Sequence, residues 1–341
     1  MALLRLPVFL LFVLCSQAED DLTLTVYDQP GPLSPSAITS DWPRFLGPSD
    51  DASTPETHLI HSFPETGPKL LWEVTKGEGY TSPAIVQDQL ILFHNVEDID
   101  RIESRHPETG ALQWTYTYPN RYRDRYGYGT GPRAAPVISG EYVLTLSATS
   151  QLHCLHRKDG SLKWKRDLLS DYQPGPYFFG HGPCPLVWND LVLLPIGGKG
   201  VSVAAFDLES GETRWEARHP WKASYASPVL STGEPPRLLV FGGGESRPSI
   251  GGLLSLDPET GDVLGEFPWR AEKFESVNAS TPLRLSGNQV LVGETYELGS
   301  SLLQLDETGA FSNSLDSPRV ETPLDDSHPE GPLPLCLLRA K

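Results

Sequence analysis

Methionine is nearly missing: the chain has 341 residues and one Met, the initiator. Long runs of Ala, Glu, Lys and Leu are few as well, which excludes helical bundles and coiled coils. Basic residues fall short, with 27 Lys and Arg against 44 Asp and Glu and a formal charge of −17. An acidic surface of that size repels phosphate backbones and anionic headgroups, so nucleic acid and polybasic membrane binding are excluded as first readings. Cysteine is scarce too, at 4 with no CxxC spacing, so neither a disulfide framework nor a structural zinc site is expected. The longest apolar run, Leu6 to Leu14, is about half the ~20 residues a spanning helix needs, so no transmembrane anchor is expected.

What the chain does have is turn formers and aromatics. It holds 31 Gly and 32 Pro, together about 18% against roughly 12% in average usage. Its 8 Trp, 12 Tyr and 12 Phe can fill a large core. Residues 1–18 read as a secretory signal peptide: Arg5, then the apolar run, then Ser16-Gln17-Ala18 as a small-x-small cleavage site before Glu19. Leu14 is too large for a lipobox, which argues against lipidation at Cys15. Cleavage near Ala18 implies a periplasmic or secreted chain with three remaining cysteines, Cys154, Cys184 and Cys336.

One turn signature recurs six times: Thr66-Gly67, Thr109-Gly110, Asp159-Gly160, Ser210-Gly211, Thr260-Gly261 and Thr308-Gly309, the last five at intervals of 48 to 51 residues. Trp114, Trp164 and Trp215 follow their Gly by four residues and Trp72 by five, while Gly265 and Asn313 take that place in the last two copies. A second marker, a small residue then Pro, interleaves with the first at Ser82-Pro83, Ala135-Pro136, Cys184-Pro185, Ser227-Pro228 and Thr281-Pro282. Each unit reads as four short strands, the last two joined by the Gly turn. Four antiparallel strands in about fifty residues, repeated radially, is the arithmetic of an all-β propeller built of four-stranded blades, with each Trp packed between neighbouring sheets.

Ala205-Phe206-Asp207-Leu208-Glu209-Ser210-Gly211-Glu212-Thr213-Arg214-Trp215 resembles the tryptophan-docking repeat, A-x-D-x-x-T/S-G-x-x-x-W, of the PQQ-like (quinoprotein-type) β-propeller family. That family holds quinone-dependent alcohol dehydrogenases and the propeller lipoprotein of the outer-membrane β-barrel assembly machinery. The opening Asp41-Trp42-Pro43-Arg44-Phe45-Leu46-Gly47-Pro48 is similar to exported bacterial members, and the resemblance covers about residues 41 to 311. The organisation expected is a signal peptide at 1–18, a lead-in segment at 19–69, propeller repeats at 70–315 and an irregular Pro-rich tail at 316–341. Pro318, Pro323, Pro329, Pro332 and Pro334 leave no room for a central strand in that tail. Two accounts follow. The ring closes with five blades, Leu70 to Val74 serving as the outer strand that the fifth repeat lacks, or the five repeats are part of an incomplete seven- or eight-bladed ring whose tail is frame-shifted. The abrupt change of character after Ser312 favours the second.

Ligands of propellers meet loops at one end of the channel, and the segments before each small-Pro pair belong at one such end. They carry Tyr80, Tyr126, Tyr128, Arg133, His181, Tyr225 and Asn278, candidates for a polar and aromatic binding face. The same segments also suit a structural role, with Gly crowding the axis and Tyr and Phe covering blade ends. Gly127 to Gly131 lacks the helix and Lys of a phosphate cradle. In His153-Cys154-Leu155-His156, strand alternation sends His153 away from Cys154 and His156, so three metal ligands cannot converge. Asn278-Ala279-Ser280 forms a glycosylation sequon, and Asp50-Asp51 lacks calcium-loop spacing. The resemblance allows an alternative, a PQQ-dependent dehydrogenase with calcium, but such enzymes carry adjacent cysteines and none of the four here are neighbours. The reading reached is a scaffold without catalysis, binding an envelope protein or peptide. A C-terminal reporter on the full chain is expected in the periplasm or medium with residues 1–18 removed; a cytoplasmic reporter with an intact N-terminus overturns the export reading.

Overall fold

Proline removes a ladder donor, so the small-Pro pair marks the edge of a strand. In every repeat the residue after that Pro opens a short strand, followed by three more in a simple meander. The computed structural model describes residues 23–313 except 58, 60, 61, 176, 295 and 297. The segments expected to be a signal peptide, at 1–18, and an irregular Pro-rich tail, at 316–341, lie outside the described residues. Blade 1 comprises Ala84–Val86, Gln89–Val96, Ile99–Arg105 and Leu112–Pro119, and blade 2 Val137–Ser139, Tyr142–Leu146, Gln151–His156 and Leu162–Asp167. Blade 3 comprises Leu186–Trp188, Leu191–Gly198, Val201–Asp207 and Thr213–Arg218. Blade 4 has Val229–Leu230, Leu238–Gly242, Gly252–Leu256 and Val263–Pro268, and blade 5 Leu283–Leu285, Gln289–Glu294, Gly299–Leu305 and Phe311–Asn313. A further sheet of two strands pairs Leu24–Val26 with Trp72–Val74. The α-helix described is one short turn, Leu168–Tyr172.

The blades are held to one another by the tryptophans. Trp72, Trp114, Trp164 and Trp215 lie over Gly110, Gly160, Gly211 and Gly261, each the turn glycine of the next blade. Each indole Nε1 donates to the carbonyl three residues before that glycine: Pro107 at 3.0 Å, Arg157 at 2.8 Å, Leu208 at 2.8 Å and Pro258 at 3.1 Å. Both halves of the turn are required. The glycines hold φ between 70° and 78°, and a Cβ there would come within 2.4 to 2.7 Å of the indole ring. Asp207 Oδ1 shapes the turn by accepting from the amides of Glu209 and Ser210, as Asp257 does from Glu259 and Thr260. At Gly309 the docking residue is Leu264, and Gly265, where a Trp is expected, lies against the Gly309 carbonyl.

Between blades the sheets bury aliphatic layers. Leu144, Leu146, Leu152 and Trp164 of blade 2 pack on Val192, Leu194 and Phe206 of blade 3, and Leu239, Phe241 and Leu253 of blade 4 pack on Val290, Val292, Leu303 and Leu305 of blade 5. Blade 1 differs on the face turned away from blade 2. There Glu103 is fully buried, with Arg105 Nε at 2.6 Å, the Arg101 guanidinium against it and His94 Nε2 at 3.6 Å. These partners hold the Glu103 carboxyl down at about 2 despite its burial.

The lead-in segment runs along the first strands. Trp42 bridges Ile85 in both directions, the Pro43 carbonyl accepts from Ile138, and Ser49 accepts from the Arg284 guanidinium. One stretch of chain thus touches the first strands of blades 1, 2 and 5. Phe45, Leu46 and Asp50 also share a crevice with Cys184 to Leu186 of blade 3 and Ser227 to Val229 of blade 4. The first strands are therefore the inner ones, and residues 42–50 occupy the space they surround.

The five blades and the two-stranded sheet form an incomplete ring. Phe311–Asn313 is the fifth blade's own outer strand, and Trp72–Val74 pairs with Leu24–Val26, which sets aside the alternative of a five-blade closure through Leu70 to Val74 and agrees with the favoured incomplete ring. Trp72 docks on blade 1 as every other outer-strand Trp docks on its neighbour, which makes the two-stranded sheet the outer half of a blade. A second sign lies at the axis. The amide of Cys184 donates to Ser227 Oγ and that of Ser227 to Thr281 Oγ1, each small residue accepting from the blade before it. Ser82 holds the same place at blade 1, and its buried Oγ has no partner among the described residues.

Docking predicts a graded glycine response. Gly160→Ala adds a Cβ against Trp114 at positive φ and is expected to cost about 3 kcal/mol or more. Gly140→Ala, at φ 54° with open space around it, is expected to cost only about 1 kcal/mol. Urea midpoints of the two variants measure the difference, and equal losses would show that docking is not what the turn glycine serves.

Candidate functional site

The connections from each outer strand to the next blade's inner strand gather at one end of the propeller. Arg133 organises them. Its Nε donates to the Phe179 carbonyl at 2.8 Å, Nη1 to Gly131 at 2.8 Å and Nη2 to Gly129 at 3.1 Å, with Asp124 at 3.4 Å. The guanidinium is sandwiched by Tyr80 and Tyr122, at 5.0 and 5.2 Å from their ring centres. Asp124 Oδ1 in turn accepts from the amides of Tyr126 and Tyr128, and this holds its carboxyl below the usual range. Glu78 clamps the same loop from the other side, accepting from the hydroxyl of Thr130 at 2.8 Å and from its amide. Gly131 permits this approach, since a Cβ there would lie 1.9 Å from the Glu78 carbonyl.

Beneath this layer sits a buried polar foundation. His181 is fully buried. Its Nε2 faces the Pro195 carbonyl at 3.0 Å, which can only accept, so Nε2 carries the proton and Nδ1 accepts from the Ser150 hydroxyl, also at 3.0 Å. Burial lowers its pKa to about 4, and Tyr177 stacks on the ring at 4.9 Å. Tyr225 donates to Glu245 at 2.8 Å and accepts from the Phe179 amide at 3.1 Å, while Glu245 takes the Phe178 amide at 2.6 Å. Asn278 is buried too, its Nδ2 donating to the carbonyls of Gly242 at 2.7 Å and Trp269 at 2.9 Å.

The seven candidate residues therefore divide by depth. Tyr80, Tyr126 and Tyr128 are exposed, at 65%, 55% and 56%. Arg133 and Tyr225 are largely covered and position the loops, and His181 and Asn278 face the interior, so the structure presents neither to a ligand. The outer layer instead includes residues that were not among those candidates: Phe179, which contacts Tyr126 and Tyr128 at 5.7 Å each, Phe274, Arg125 and Arg247, with Phe178 buried beneath Arg125 and Phe274. Arg125 directly precedes Tyr126, the first of the two tyrosines chosen from its loop, so its charge was the available signal. Phe274 precedes Thr281-Pro282 in a segment of the same kind as the chosen ones, whereas Arg247 lies between the second and third strands of blade 4, where the small-Pro spacing does not point.

Other motifs resolve into structure. His153 stacks on Tyr118 at 4.1 Å, and burial lowers its pKa to about 4; burial raises the Cys154 thiol to about 12 and the Cys184 thiol to about 11. Asp50 is paired with Arg44. The sequon at Asn278 offers no acceptor in the folded chain, because its side-chain nitrogen is already committed. A quinone cofactor with calcium needs an open slot and converging oxygen ligands. Residues 42–50 fill the axial space, and no three His, Cys, Asp or Glu converge among the described residues. These residues do not fit that cofactor pair.

A family model described as outer membrane protein assembly factor BamB matches residues 96–313. No curated protein matches the sequence. Among solved structures, quinohemoprotein alcohol dehydrogenase from Comamonas testosteroni superposes with a TM-score of 0.50 at 13% identity, over 70% of this chain and 46% of that one. A europium-containing methanol dehydrogenase gives 0.47 at 12%, over 70% and 50%, and BamB from Moraxella catarrhalis 0.40 at 17%, over 71% and 77%. This chain spans about half the length of the two dehydrogenases, and what is shared at such identities is the fold.

The buried histidines set a pH dependence. Their folded pKa values of about 4 lie below the unfolded value of about 6.5, so unfolding takes up protons between those limits. Stability is then full above pH 6.5 and falls toward pH 4, by up to about 3 kcal/mol per histidine. Glu103 adds a separate loss from about 4.5 down to about 2. His181→Gln is expected to reduce the slope of stability against pH between 6 and 4.5 by about 1.4 kcal/mol per pH unit, read from urea titrations; an unchanged slope would show that His181 is protonated in the fold.

Proposed function

The chain belongs to the family described as outer membrane protein assembly factor BamB, and from that membership we propose that it is an exported scaffold of the cell envelope. It binds a protein or peptide segment across the loop end of the propeller and performs no catalysis. One observation carries this reading: three tyrosines stand exposed above loops that are cross-braced by Arg133, Glu78 and Glu245. Tyrosine on a rigid base buries a large area at little entropic cost, which is how interface anchors work. A periplasmic or secreted location fits the N-terminal signal sequence, and among the described residues no helix is long and apolar enough to cross a membrane.

The test separates anchors from supports. Tyr80→Ala, Tyr126→Ala and Tyr128→Ala combined in the full chain are expected to abolish cross-linked capture of an envelope partner while leaving the urea midpoint within about 1 kcal/mol of wild type. Unchanged capture by the folded variant removes the loop end as the binding site. Incubation with PQQ and Ca²⁺ in a dye-linked dehydrogenase assay is expected to give no turnover, and clear turnover would put catalysis first.

A further inference from the structure

Across the loop end, four side chains from different connections form one strip. The Arg125 guanidinium lies 5.5 Å from the centre of the Phe178 ring, Phe178 meets Phe274 edge-on at 5.5 Å, and the Arg247 guanidinium lies 4.7 Å from the centre of Phe274. Both arginines are exposed. The neighbouring cations are already engaged: Arg123 and Arg121 with Asp98, and Arg133 with Asp124 and three carbonyls. Arg125 and Arg247 have no carboxylate partner among the described residues, in a chain that carries 44 acidic side chains. Two free guanidiniums held at the ends of an apolar bridge, on a protein of charge −17, are an isolated cationic feature set against the net field.

We propose that Arg125 and Arg247 clamp an extended acidic segment of a partner protein, with an apolar side chain of that segment resting on the half-buried Phe274, whose ring is held edge-on by the buried Phe178. The proposal rests on the loop-end reading above and names the chemistry of its occupant. The three ring contacts laid end to end put the guanidiniums at most roughly 16 Å apart, and four steps of extended chain at ~3.3 Å each, about 13 Å, fall within that limit. Residues four apart in a strand point to the same side, and so does the residue midway between them. The fitting pattern is acidic-x-apolar-x-acidic, each carboxylate meeting one planar guanidinium in a two-bond pair and the central side chain covering Phe274. A lipid headgroup or a nucleic acid would offer phosphates to the arginines, but both carry a repeating charge that the acidic remainder of the surface repels.

Fluorescent peptides Asp-Ser-Leu-Ser-Asp and Asn-Ser-Leu-Ser-Asn, each flanked by Ser-Gly spacers, test this with the full exported chain. The Asp peptide is expected to bind at least about tenfold more tightly than the Asn peptide and to weaken as salt rises. Arg125→Ala with Arg247→Ala is expected to remove that difference. Arg125→Glu with Arg247→Glu is expected to exchange preference to Lys-Ser-Leu-Ser-Lys, a gain that a misfolded variant cannot produce. Equal binding of the Asp and Asn peptides, or tighter binding of phosphatidylglycerol vesicles or oligothymidine than of the Asp peptide, overturns the proposal. If the peptides fail while the Tyr80, Tyr126 and Tyr128 variant still loses envelope capture, the acidic clamp falls and the loop-end reading stands. If the peptides bind as expected and that variant captures normally, the anchors of the broader reading are wrong and the clamp stands.

Discussion

The contact on which everything else depends is an indole ring laid over a glycine. A Trp buries on the order of 200 Å², but only if the neighbouring backbone presents a flat surface, and a turn residue without Cβ at positive φ is what provides one. Trp114 on Gly160, Trp164 on Gly211 and Trp215 on Gly261 repeat the arrangement, each closed by the same indole-to-carbonyl hydrogen bond. The contact is always between one blade and the next, so it sets the angle between sheets as well as holding them. Where the Trp is replaced by Leu264 and Gly265, close backbone approach takes over the work of the ring.

Fixing that angle has a consequence at the axis. Blades related by a constant rotation bring their inner strands round a common line, and here the line is filled by Trp42, Pro43 and their successors, which bond to the inner strands of blades 1, 2 and 5. A filled axis leaves the loop end as a lid of side chains over a solid base. The hydroxyl-to-amide links from Cys184 through Ser227 to Thr281 run round this axis, and the unpartnered Ser82 Oγ marks where the next link is missing.

At the loop end two kinds of polar residue coexist, and burial separates them. His181 and the Asn278 side-chain nitrogen bond to carbonyls of the strands beneath them, and Glu245 accepts from the Phe178 amide and the Tyr225 hydroxyl, so these groups are committed inside the fold. Tyr80, Tyr126 and Tyr128, with Arg125 and Arg247, stand above that layer and keep their polar tips free for another molecule. The rigidity of the upper layer comes from the lower one.

The period of about fifty residues, the Gly turns and the small-Pro pairs were legible from the chain alone, because each is local: positive φ, a missing donor and strand alternation are properties of a few consecutive residues. The four-stranded blades and their Trp docking followed from those signals, as did the opposed faces of His153 and Cys154. Tertiary structure alone decided which of the loop residues reach solvent. His181 and Tyr80 lie three and two residues before their small-Pro pairs, yet one bonds to Ser150 and Pro195 from inside and the other lies open over Arg133. The Arg125, Phe178, Phe274 and Arg247 strip draws on connections up to about 150 residues apart, and the pairing of Trp72–Val74 with Leu24–Val26 spans the whole lead-in segment. Depth and long-range adjacency are set by how rigid blades are rotated against one another, and no window of sequence contains that rotation.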